Sequence, residues 1–260
     1  MAKTKVDFNS DIGESFGQYK LGLDEEIIGN VSSANIACGF HAGDEETMKK
    51  TVDLAIKHNV SIGAHPSFAD KENFGRKRIN LSKKEIIKLI LDQIQILSEI
   101  SESRGLSLTH VKPHGALNNM ACEDYELSFT IGQTIKEFNR ELIFMVLPET
   151  EMEKAGRDLD LKIACEIFAD RNYEDNGRLV SRDQTYALKS DVIEATQNII
   201  NMLNDKAILC YSGKRIPCQI DSICVHGDGK NAVEIVRNIK NNLEKAGLIL
   251  RPLDKLEKFN

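Results

Sequence analysis

The sequence predicts an α/β fold in which short parallel strands alternate with helices. Its strand-like segments are near-continuous apolar runs, which are typical of parallel strands covered on both faces. Amphipathic stretches with helical spacing separate most of these runs. Polar turns follow five or six of the strands, as the mouth of a (β/α) barrel requires. Seven strands also fit an open sheet, but ligand groups there gather beside only a few strands, so this distribution favours a barrel.

Seven segments carry the strand pattern. In chain order they are Val6–Asn9, Ser33–Ala37, Ser61–Gly63, Thr109–Lys112, Leu142–Leu147, Lys162–Ile167 and Ser222–Val225. One β/α alternation therefore runs through residues 1–260, and no low-complexity linker or charge run divides the chain. We expect a single domain.

Helix signals lie between the strands. Asp44 is suited to cap one helix, and Ser82 with Glu85 forms a capping box at the start of another. Gly247 ends the last helix. The apolar positions of the four clearest helices are Met48, Val52 and Ala55; Ile86, Ile90, Ile94 and Leu97; Val192, Ile199 and Leu203; and Val233, Val236, Ile239 and Leu243.

Two segments in the C-terminal half interrupt the alternation. Arg171–Lys189 is polar and loop-like, whereas Ala207–Ile220 is predicted as a hairpin that turns at residues 212–214. Either segment could form a lid over the strand ends or an edge that faces a partner.

Composition disfavours several classes of partner and location. A formal charge of −6 argues against nucleic acid and anionic membranes, which bind basic surfaces. No run of about eighteen apolar residues predicts a membrane span. The N-terminal residues enter a strand without a visible signal peptide, and none of the six cysteines has C-x-x-C spacing. We expect a protein of the reducing cytoplasm.

Two carboxylates follow the first predicted strand. Asp11 and Glu14 lie close to Asn9 and Gly13 in the chain. Such a pair can divide general-acid and general-base roles or hold a cation. The alternative is a turn in which Asp11 caps a helix, but the dense polar cluster favours a functional role.

Four of the six histidines follow predicted strands: His41, His65, His114 and His226. Pro66 restricts the backbone of His65 to extended geometry and so fixes its direction. A lone histidine is more often structural, but four in equivalent positions indicate a shared site. His58 at a helix end and His110 at a strand start are interpreted as structural.

Several cationic residues beside these turns could bind an anionic ligand. Arg76 and Arg171 suit a carboxylate, because guanidinium binds that group through two hydrogen bonds. Asp170 is available to orient Arg171, and a surface ion pair is the alternative for each arginine. Lys112 could stabilise negative charge or form a salt bridge within the mouth.

Further acidic residues complete the set. Asp44 could act as a ligand group as well as a helix cap, since one carboxylate oxygen suffices for the cap. Glu166 and Asp170 follow the sixth strand, and Asp228 follows His226 after the seventh. In a closed barrel these residues would face one mouth.

Common nucleotide, metal and nucleophile motifs are absent from the sequence. There is no G-x-x-x-x-G-K-[ST], no G-x-G-x-x-G, no H-E-x-x-H and no G-x-S-x-G. Residues 227–230 form only a fragment of a phosphate loop. His41 and His65 come from different strands, so a zinc site would have to be assembled in space, and spacing assigns no metal ligand. A divalent cation at the barrel mouth stays an open alternative.

Five strings make the chain similar to the LamB/YcsF family. They are S-A-N-I-A-C-G-F-H-A-G-D, G-A-H-P-S, V-K-P-H-G-A-L, E-I-F-A-D-R-N-Y and C-V-H-G-D, in that order. The resemblance covers nearly the whole chain and implies a deformed seven-stranded (β/α) barrel like that of polysaccharide deacetylases. It also implies cleavage of the 5-oxoproline lactam to L-glutamate, driven by ATP hydrolysis, in a complex with two further subunits.

The polar positions shared by the family fall mostly on the residues already singled out. The candidate catalytic residues are Asp11, Glu14, His41, His65, Lys112, His114, Glu166 and His226. The candidate substrate-binding residues are Asp44, Arg76, Asp170, Arg171 and Asp228. Because the chain has no phosphate loop, we expect ATP with Mg²⁺ to bind mainly on the partner subunits.

Two alternatives to a lactam-cleaving subunit stay open. One is a metal-dependent hydrolase of the deacetylase type, suggested by fold analogy and by the His/Asp mouth. The other is a non-catalytic subunit that binds the lactam and delivers it to its partners. Stoichiometric metal needed for activity would favour the first, and indifference of turnover to substitutions at the mouth would favour the second.

Overall fold

A computed structural model of the chain describes residues 4–15, 23–189, 191–226 and 232–260. The described residues form ten strands and eight α-helices. The strands are β1 (Lys5–Ile12), β2 (Ser33–Ala37), β3 (Ser61–His65), β4 (His110–Val111), β5 (Ile143–Val146), β6 (Ile163–Phe168), β7 (Ala207–Leu209), β8 (Arg215–Pro217), β9 (Ser222–Cys224) and β10 (Ile249–Leu250). The helices are α1 (Asp24–Ile27), α2 (Glu45–His58), α3 (Lys83–Glu102), α4 (Gly115–Ala121), α5 (Tyr125–Phe138), α6 (Glu151–Asp158), α7 (Val192–Asp205) and α8 (Ala232–Lys245).

Seven parallel strands close into a barrel, as the polar turns predicted. Their order is β1, β2, β3, β4, β5, β6 and β9, and β9 pairs with β1 to complete the ring. Asn9 of β1 lies at the closure, in register with Ser33 of β2 on one side and with Cys224 of β9 on the other. Because the ring is closed, none of the seven strands lies at a sheet edge, and the unpaired backbone groups of an open sheet are avoided.

The helices cover the barrel because their apolar residues recur on one face. The side chain of Asp44 accepts a hydrogen bond from the backbone of Thr47 and caps α2. The predicted capping box of Ser82 and Glu85 starts α3. Among the described residues, no helix combines the length and the apolar composition needed to cross a bilayer.

All seven predicted strands are present, with ends that differ by up to three residues. The largest difference is at β1, which continues to Ile12, so Asp11 lies within the strand and not in the turn after it. Glu166 likewise lies inside β6. Glu166 also falls within the predicted strand Lys162–Ile167. Asp11 lies outside its predicted strand because buried polar residues interrupt the apolar run that marks a strand.

The two predicted interruptions have different structures. In the hairpin, β7 and β8 pair antiparallel around Gly213. The 171–189 loop has two isolated antiparallel bridges, Arg171 with Leu188 and Tyr173 with Leu179. This loop follows β6 and so begins at the carboxyl ends of the barrel strands.

The last described residues cover the opposite end of the barrel. There β10 pairs with the beginning of β1. Leu253 and Leu256 then pack with Ile143, Met145 and Ala164, which lie near the starts of β5 and β6. The C-terminal segment therefore buries apolar side chains at the end of the barrel away from the polar strand ends.

Gly63 of β3 leaves room for the imidazole of His110 on β4. A Cβ at Gly63 would lie 2.2 Å from Cδ2 of His110, and Nε2 of His110 is held at 2.7 Å by Oδ1 of Asn35. Gly63→Ala should lower the free energy of unfolding by about 1–3 kcal/mol, the usual cost of overpacking, in urea denaturation. In a His110→Ala background the same change should cost much less. An equal cost in both backgrounds would show that the imidazole is not the obstacle.

Candidate active site

A small polar cavity lies at the carboxyl ends of the barrel strands. Its volume is about 240 Å³, below the range of roughly 300–1,000 Å³ that is usual for drug-sized ligands. Six of the candidate catalytic residues line it: Asp11, Glu14, His65, Lys112, His114 and His226. Since they come from four different strands or the turns after them, barrel closure is what brings them together.

Lys112 joins carboxylates from opposite parts of the ring. Its ammonium lies 2.8 Å from Oδ1 of Asp11 and 3.0 Å from Oε1 of Glu166. Burial alone would lower the pKa of Lys112, but these carboxylates raise it well above its usual range. Burial would likewise raise the pKa of Asp11, but His65 and Lys112 hold it well below its ordinary value. The lysine is therefore charged and Asp11 is a carboxylate at neutral pH.

Buried amides continue this network below the cavity. Nδ2 of Asn35 donates to Oδ1 of Asp11 and to Oδ1 of Asn9, both at 2.7 Å. Nδ2 of Asn9 in turn donates to Oε1 of Glu166 at 2.8 Å. His110 donates from Nε2 to Asn35, and burial lowers the pKa of His110 to about 3, so the ring is neutral. His110 thus positions the network from below, in agreement with its structural interpretation.

His65 and His114 face each other through one ring nitrogen each, Nε2 of His65 and Nδ1 of His114. Nδ1 of His65 is 2.7 Å from the carbonyl oxygen of Lys112, and Nε2 of His114 is 2.9 Å from that of Phe74. Both nitrogens must donate, because a carbonyl oxygen only accepts. In two neutral rings the remaining nitrogens would then meet lone pair to lone pair at 2.9 Å. A third proton or a cation relieves this contact.

His41 lies directly behind this pair. Its ring stacks on His114 with centroids 4.0 Å apart. It is fully buried, and within the described part of the chain neither ring nitrogen has a hydrogen-bond partner. Burial and the neighbouring His65 lower its pKa well below the usual range, and burial with His41 and His65 does the same to the pKa of His114. Both rings are therefore neutral, which is the form that binds metals.

One group of donors fits a divalent cation. Glu14, His41, His65 and His114 each offer one ligand atom, and these atoms lie within 4.8 Å of one another. The unpartnered nitrogens of His41, Nε2 of His65 and Nδ1 of His114 are the atoms that such a cation would satisfy. Neutral imidazoles with one carboxylate are typical ligands of zinc and related ions.

Asp170 and His226 form a separate pair at the cavity. Nδ1 of His226 lies 2.8 Å from Oδ2 of Asp170 and 3.0 Å from its Oδ1. Burial disfavours both charges, but Asp170 raises the pKa of His226 and His226 lowers the pKa of Asp170. The pair therefore favours a protonated imidazole, which is the form that can donate a proton to a ligand.

Three arginines also border the cavity. Arg76 follows β3, while Arg171 and Arg182 belong to the 171–189 loop. Arg171 is 7% exposed, and its Nη2 donates to the carbonyl oxygen of Val180 at 2.5 Å. The 171–189 loop therefore adds positive charge to a floor that is rich in carboxylates.

Comparison with known proteins identifies the family of this chain. The sequence model of the LamB/YcsF family matches residues 6–258. The chain belongs to the LamB/YcsF family. It is 48% identical to a 5-oxoprolinase subunit of Clostridium beijerinckii over 252 residues, which cover 97% of this chain and 99% of that protein. It is 44% identical to the corresponding 5-oxoprolinase subunit of Staphylococcus epidermidis, with coverage of 96% and 100%.

Solved structures support the fold. The lactam utilization protein of Thermus thermophilus superimposes with a TM-score of 0.89 at 39% identity, over 95% of this chain and 99% of that one. The catalytic domain of a peptidoglycan N-acetylglucosamine deacetylase from Eubacterium rectale shares the fold alone, with a TM-score of 0.51 and 9% identity over 100% of this chain and 91% of that one. This family member thus has a deacetylase-like barrel.

Most of the predicted site residues meet at this mouth, but several stand apart from the cavity wall. His41, Glu166 and Asp170 lie one layer behind it, in contact with residues that line it. Asp44 caps α2 and is not part of the described cavity wall, so its contact with substrate stays a prediction. Asp228 lies outside the described residues.

The predicted role of Asp170 differs from the one observed. Its carboxylate is hydrogen-bonded to His226, whereas the guanidinium of Arg171 is held by the backbone of Val180. Asp170 therefore orients the imidazole and not the arginine. Arg171 is also not a surface residue, so the surface ion pair considered as its alternative does not form.

Some contributors to the site cannot be found from the sequence. Asn35 resembles an ordinary residue of a buried strand, and Arg182 resembles the rest of a polar loop. The carbonyl of Phe74, which fixes His114, carries no sequence signal, because every residue has one. A sequence signal for Arg182 is the polar composition of E-I-F-A-D-R-N-Y and of the loop that follows it.

Asp170→Asn tests the charge of the histidine pair. The raised pKa of His226 stabilises the fold below its unfolded value of about 6.5, and this is lost as pH rises through the folded pKa. The lowered pKa of Asp170 stabilises the fold above its unfolded value of about 3.9, and this is lost as pH falls through the folded pKa. The variant should therefore be most destabilised between about pH 4 and 6.5, and the imidazole resonances of His226 should titrate at lower pH. A stability difference that does not change with pH would contradict the charged pair.

Proposed function

We propose that this chain is the subunit of an ATP-dependent 5-oxoprolinase that cleaves the lactam of 5-oxoproline to give L-glutamate. The observation that carries the proposal is the small cavity in which His226, whose protonated form Asp170 favours, and the Asp11 carboxylate face one space, in a chain that is 48% identical to a 5-oxoprolinase subunit over nearly its full length. The coarser conclusion, a hydrolase acting on an amide, rests on the same relatives and on the deacetylase-like barrel.

The chemistry must overcome the resonance of a five-membered amide. Transfer of the γ-phosphoryl group of ATP to the carbonyl oxygen of the lactam gives ADP and an electrophilic carbon. Water then forms a bond to that carbon, the ring C–N bond breaks, and the nitrogen leaves as an amine once it is protonated. This leaves an acyl phosphate of glutamate, which a second water molecule converts to L-glutamate and phosphate.

His226 and Asp11 suit the two proton transfers of ring opening. Asp170 raises the pKa of His226 and so favours the imidazolium, which can donate a proton to the ring nitrogen as the C–N bond breaks. Asp11 is kept ionised by Lys112 and His65 and can accept a proton from the attacking water. Lys112 stabilises negative charge that develops near the carboxylate. The different environments of the two groups separate the acid from the base.

Recognition of the lactam requires a partner for its carboxylate. Arg76 and Arg171 both border the cavity, where either guanidinium can bind this carboxylate. Pairing with guanidinium offsets the cost of removing a carboxylate from water. The cavity volume of about 240 Å³ suits a small polar ligand of this kind.

ATP and the other subunits complete the proposed enzyme. The chain has no phosphate-loop motif, and we assign ATP and its Mg²⁺ mainly to two further subunits. The relatives are named as subunits of 5-oxoprolinase, and by that name they are parts of larger enzymes. The six cysteines are unpaired thiols, which suits a complex that works in the reducing cytoplasm.

A divalent cation has a donor set within this mouth. Glu14, His41, His65 and His114 would hold it, as the orphaned nitrogens of His41 indicate. Such an ion would supply Lewis acidity and lower the pKa of bound water. The same donor set favours one rival function, a metal-dependent hydrolase that needs no ATP.

Asp11→Asn in the reconstituted complex should lower the turnover of 5-oxoproline about a hundredfold or more, the scale of a lost acid–base group. Glutamate release with ATP present is the measurement. His58→Ala is the matched control, because His58 is exposed at the end of α2. Full activity of Asp11→Asn would instead favour a subunit that only delivers the lactam.

Metal analysis separates the proposed function from its rival. The purified chain loaded with Zn²⁺ or Co²⁺ should retain about one ion, and His41→Ala should weaken binding at least about tenfold because one ligand is lost. His58→Ala should bind like the wild type. Cleavage of 5-oxoproline by the metal-loaded chain without ATP would favour the rival, and failure to retain either ion would remove the cation from the site.

A further inference from the structure

The arginines at the cavity exceed what one carboxylate needs. 5-Oxoproline has a single negative charge, which one guanidinium binds through two hydrogen bonds. Three guanidinium groups, those of Arg76, Arg171 and Arg182, border the cavity. Burial and the charge of Arg182 lower the pKa of Arg171, Asp170 raises it, and Arg76 lowers it further. Arg182 and Arg76 thus both disfavour the charge of Arg171, which an anion of higher charge would offset.

Arg171 has an unfilled donor. Although the residue is 7% exposed, its Nε has no hydrogen-bond partner among the residues that the structure describes. Its Nη2 donates to the carbonyl oxygen of Val180, which fixes the guanidinium, whereas the Nε–H has no acceptor among these residues. A buried donor without a partner is costly. Because Arg171 lines the cavity, a ligand that brings an acceptor to this side chain would offset that cost.

Three carboxylates of the floor have cationic partners other than Arg171 and Arg182. Asp11 and Glu166 bind Lys112, and Asp170 binds His226. Within the described part of the chain, neither Arg171 nor Arg182 forms an ion pair with a carboxylate. The positive charge of the 171–189 loop therefore remains for a ligand in the cavity.

The loop that carries both arginines is braced before any ligand binds. Tyr173 is fully buried, and its hydroxyl accepts a hydrogen bond from the backbone of Phe168 at 2.8 Å. Asn172 donates to the carbonyl of Tyr186 at 2.7 Å, and Lys189 donates to that of Arg171 at 3.0 Å. Such preorganisation lowers the cost of ordering the loop around an anion.

We propose that Arg171 and Arg182 form a subsite for a phosphoryl group, so that the species bound at this mouth is the lactam already phosphorylated on its carbonyl oxygen. This rests on the proposed function and names its substrate more closely. Arg76 is then the partner of the lactam carboxylate. The phosphoryl group reaches the cavity on the lactam, after transfer from ATP elsewhere in the complex, and stays on the product carbonyl when the ring C–N bond breaks.

Binding of inorganic phosphate to the isolated full chain, followed by calorimetry, tests the subsite directly. Arg182→Gln should weaken phosphate binding at least about tenfold, and Arg171→Lys should also weaken it, because lysine cannot replace the guanidinium donors. Arg140→Gln is the matched control. It removes the same charge from an exposed residue that precedes β5, at the far end of the barrel. Absence of phosphate binding in the wild type, or equal weakening by Arg140→Gln, would overturn the proposal.

The same variants with 5-oxoproline distinguish a phosphoryl subsite from a carboxylate clamp. Arg182→Gln should leave the affinity for 5-oxoproline within about twofold of wild type, since that ligand has no phosphoryl group. Equal losses for phosphate and 5-oxoproline would overturn the proposal. In the reconstituted complex, Arg182→Gln should still form ADP but release at least about tenfold less glutamate for each ADP. Unchanged coupling would also contradict the subsite.

These results are separable from the fate of the proposed function. Wild-type complex that fails to turn over 5-oxoproline would refute the function, while the calorimetry would still judge the phosphoryl subsite. Turnover by the wild type, together with phosphate binding that is indifferent to Arg182, would support the function and refute the subsite.

Discussion

The buried ammonium of Lys112 is the interaction on which the mouth of the barrel depends. It is contributed by the turn after β4 and binds carboxylates from β1 and β6, so it links strands that are not neighbours in the ring. Removing one partner of such a buried pair typically costs about 3–5 kcal/mol, because the remaining charge has no water to solvate it. Lys112, Asp11 and Glu166 therefore stabilise one another more strongly than the partners of a surface salt bridge do.

The same residue also organises the histidines. The carbonyl of Lys112 accepts from Nδ1 of His65, which turns Nε2 of that ring toward Asp11 and His114. Charge and orientation are thus set together by one residue of one turn. The outer part of the site has a different origin, since the 171–189 loop brings the arginines over a floor whose charges are already paired. Arg171 and Arg182 thus add positive charge above a floor on which Asp11, Glu166 and Asp170 have cationic partners.

The sequence predicted the seven barrel strands and the main helices, because the apolar periodicity of buried parallel strands is strong. It also predicted that polar residues after different strands share one mouth. It did not predict which of them touch. His41, His65 and His114 are far apart in the chain, and only closure makes their nitrogens a cluster. Asn35 escapes prediction because an amide in an apolar run has no pattern of its own. The sequence suggests the adjacent Arg171 as the partner of Asp170, because the observed partner, His226, comes from another strand.

Closure by β9 has a consequence for how the chain is made. The first strand is finished early in synthesis, but two of its three partners, β9 and β10, lie beyond residue 221. Until these segments leave the ribosome, one side of β1 has no neighbour, and exposed strand edges are sites of wrong association. Joining ends this far apart is also entropically costly and slow. The barrel therefore cannot close until β9 has been synthesised, and a chain truncated before residue 222 would leave one side of β1 unpaired.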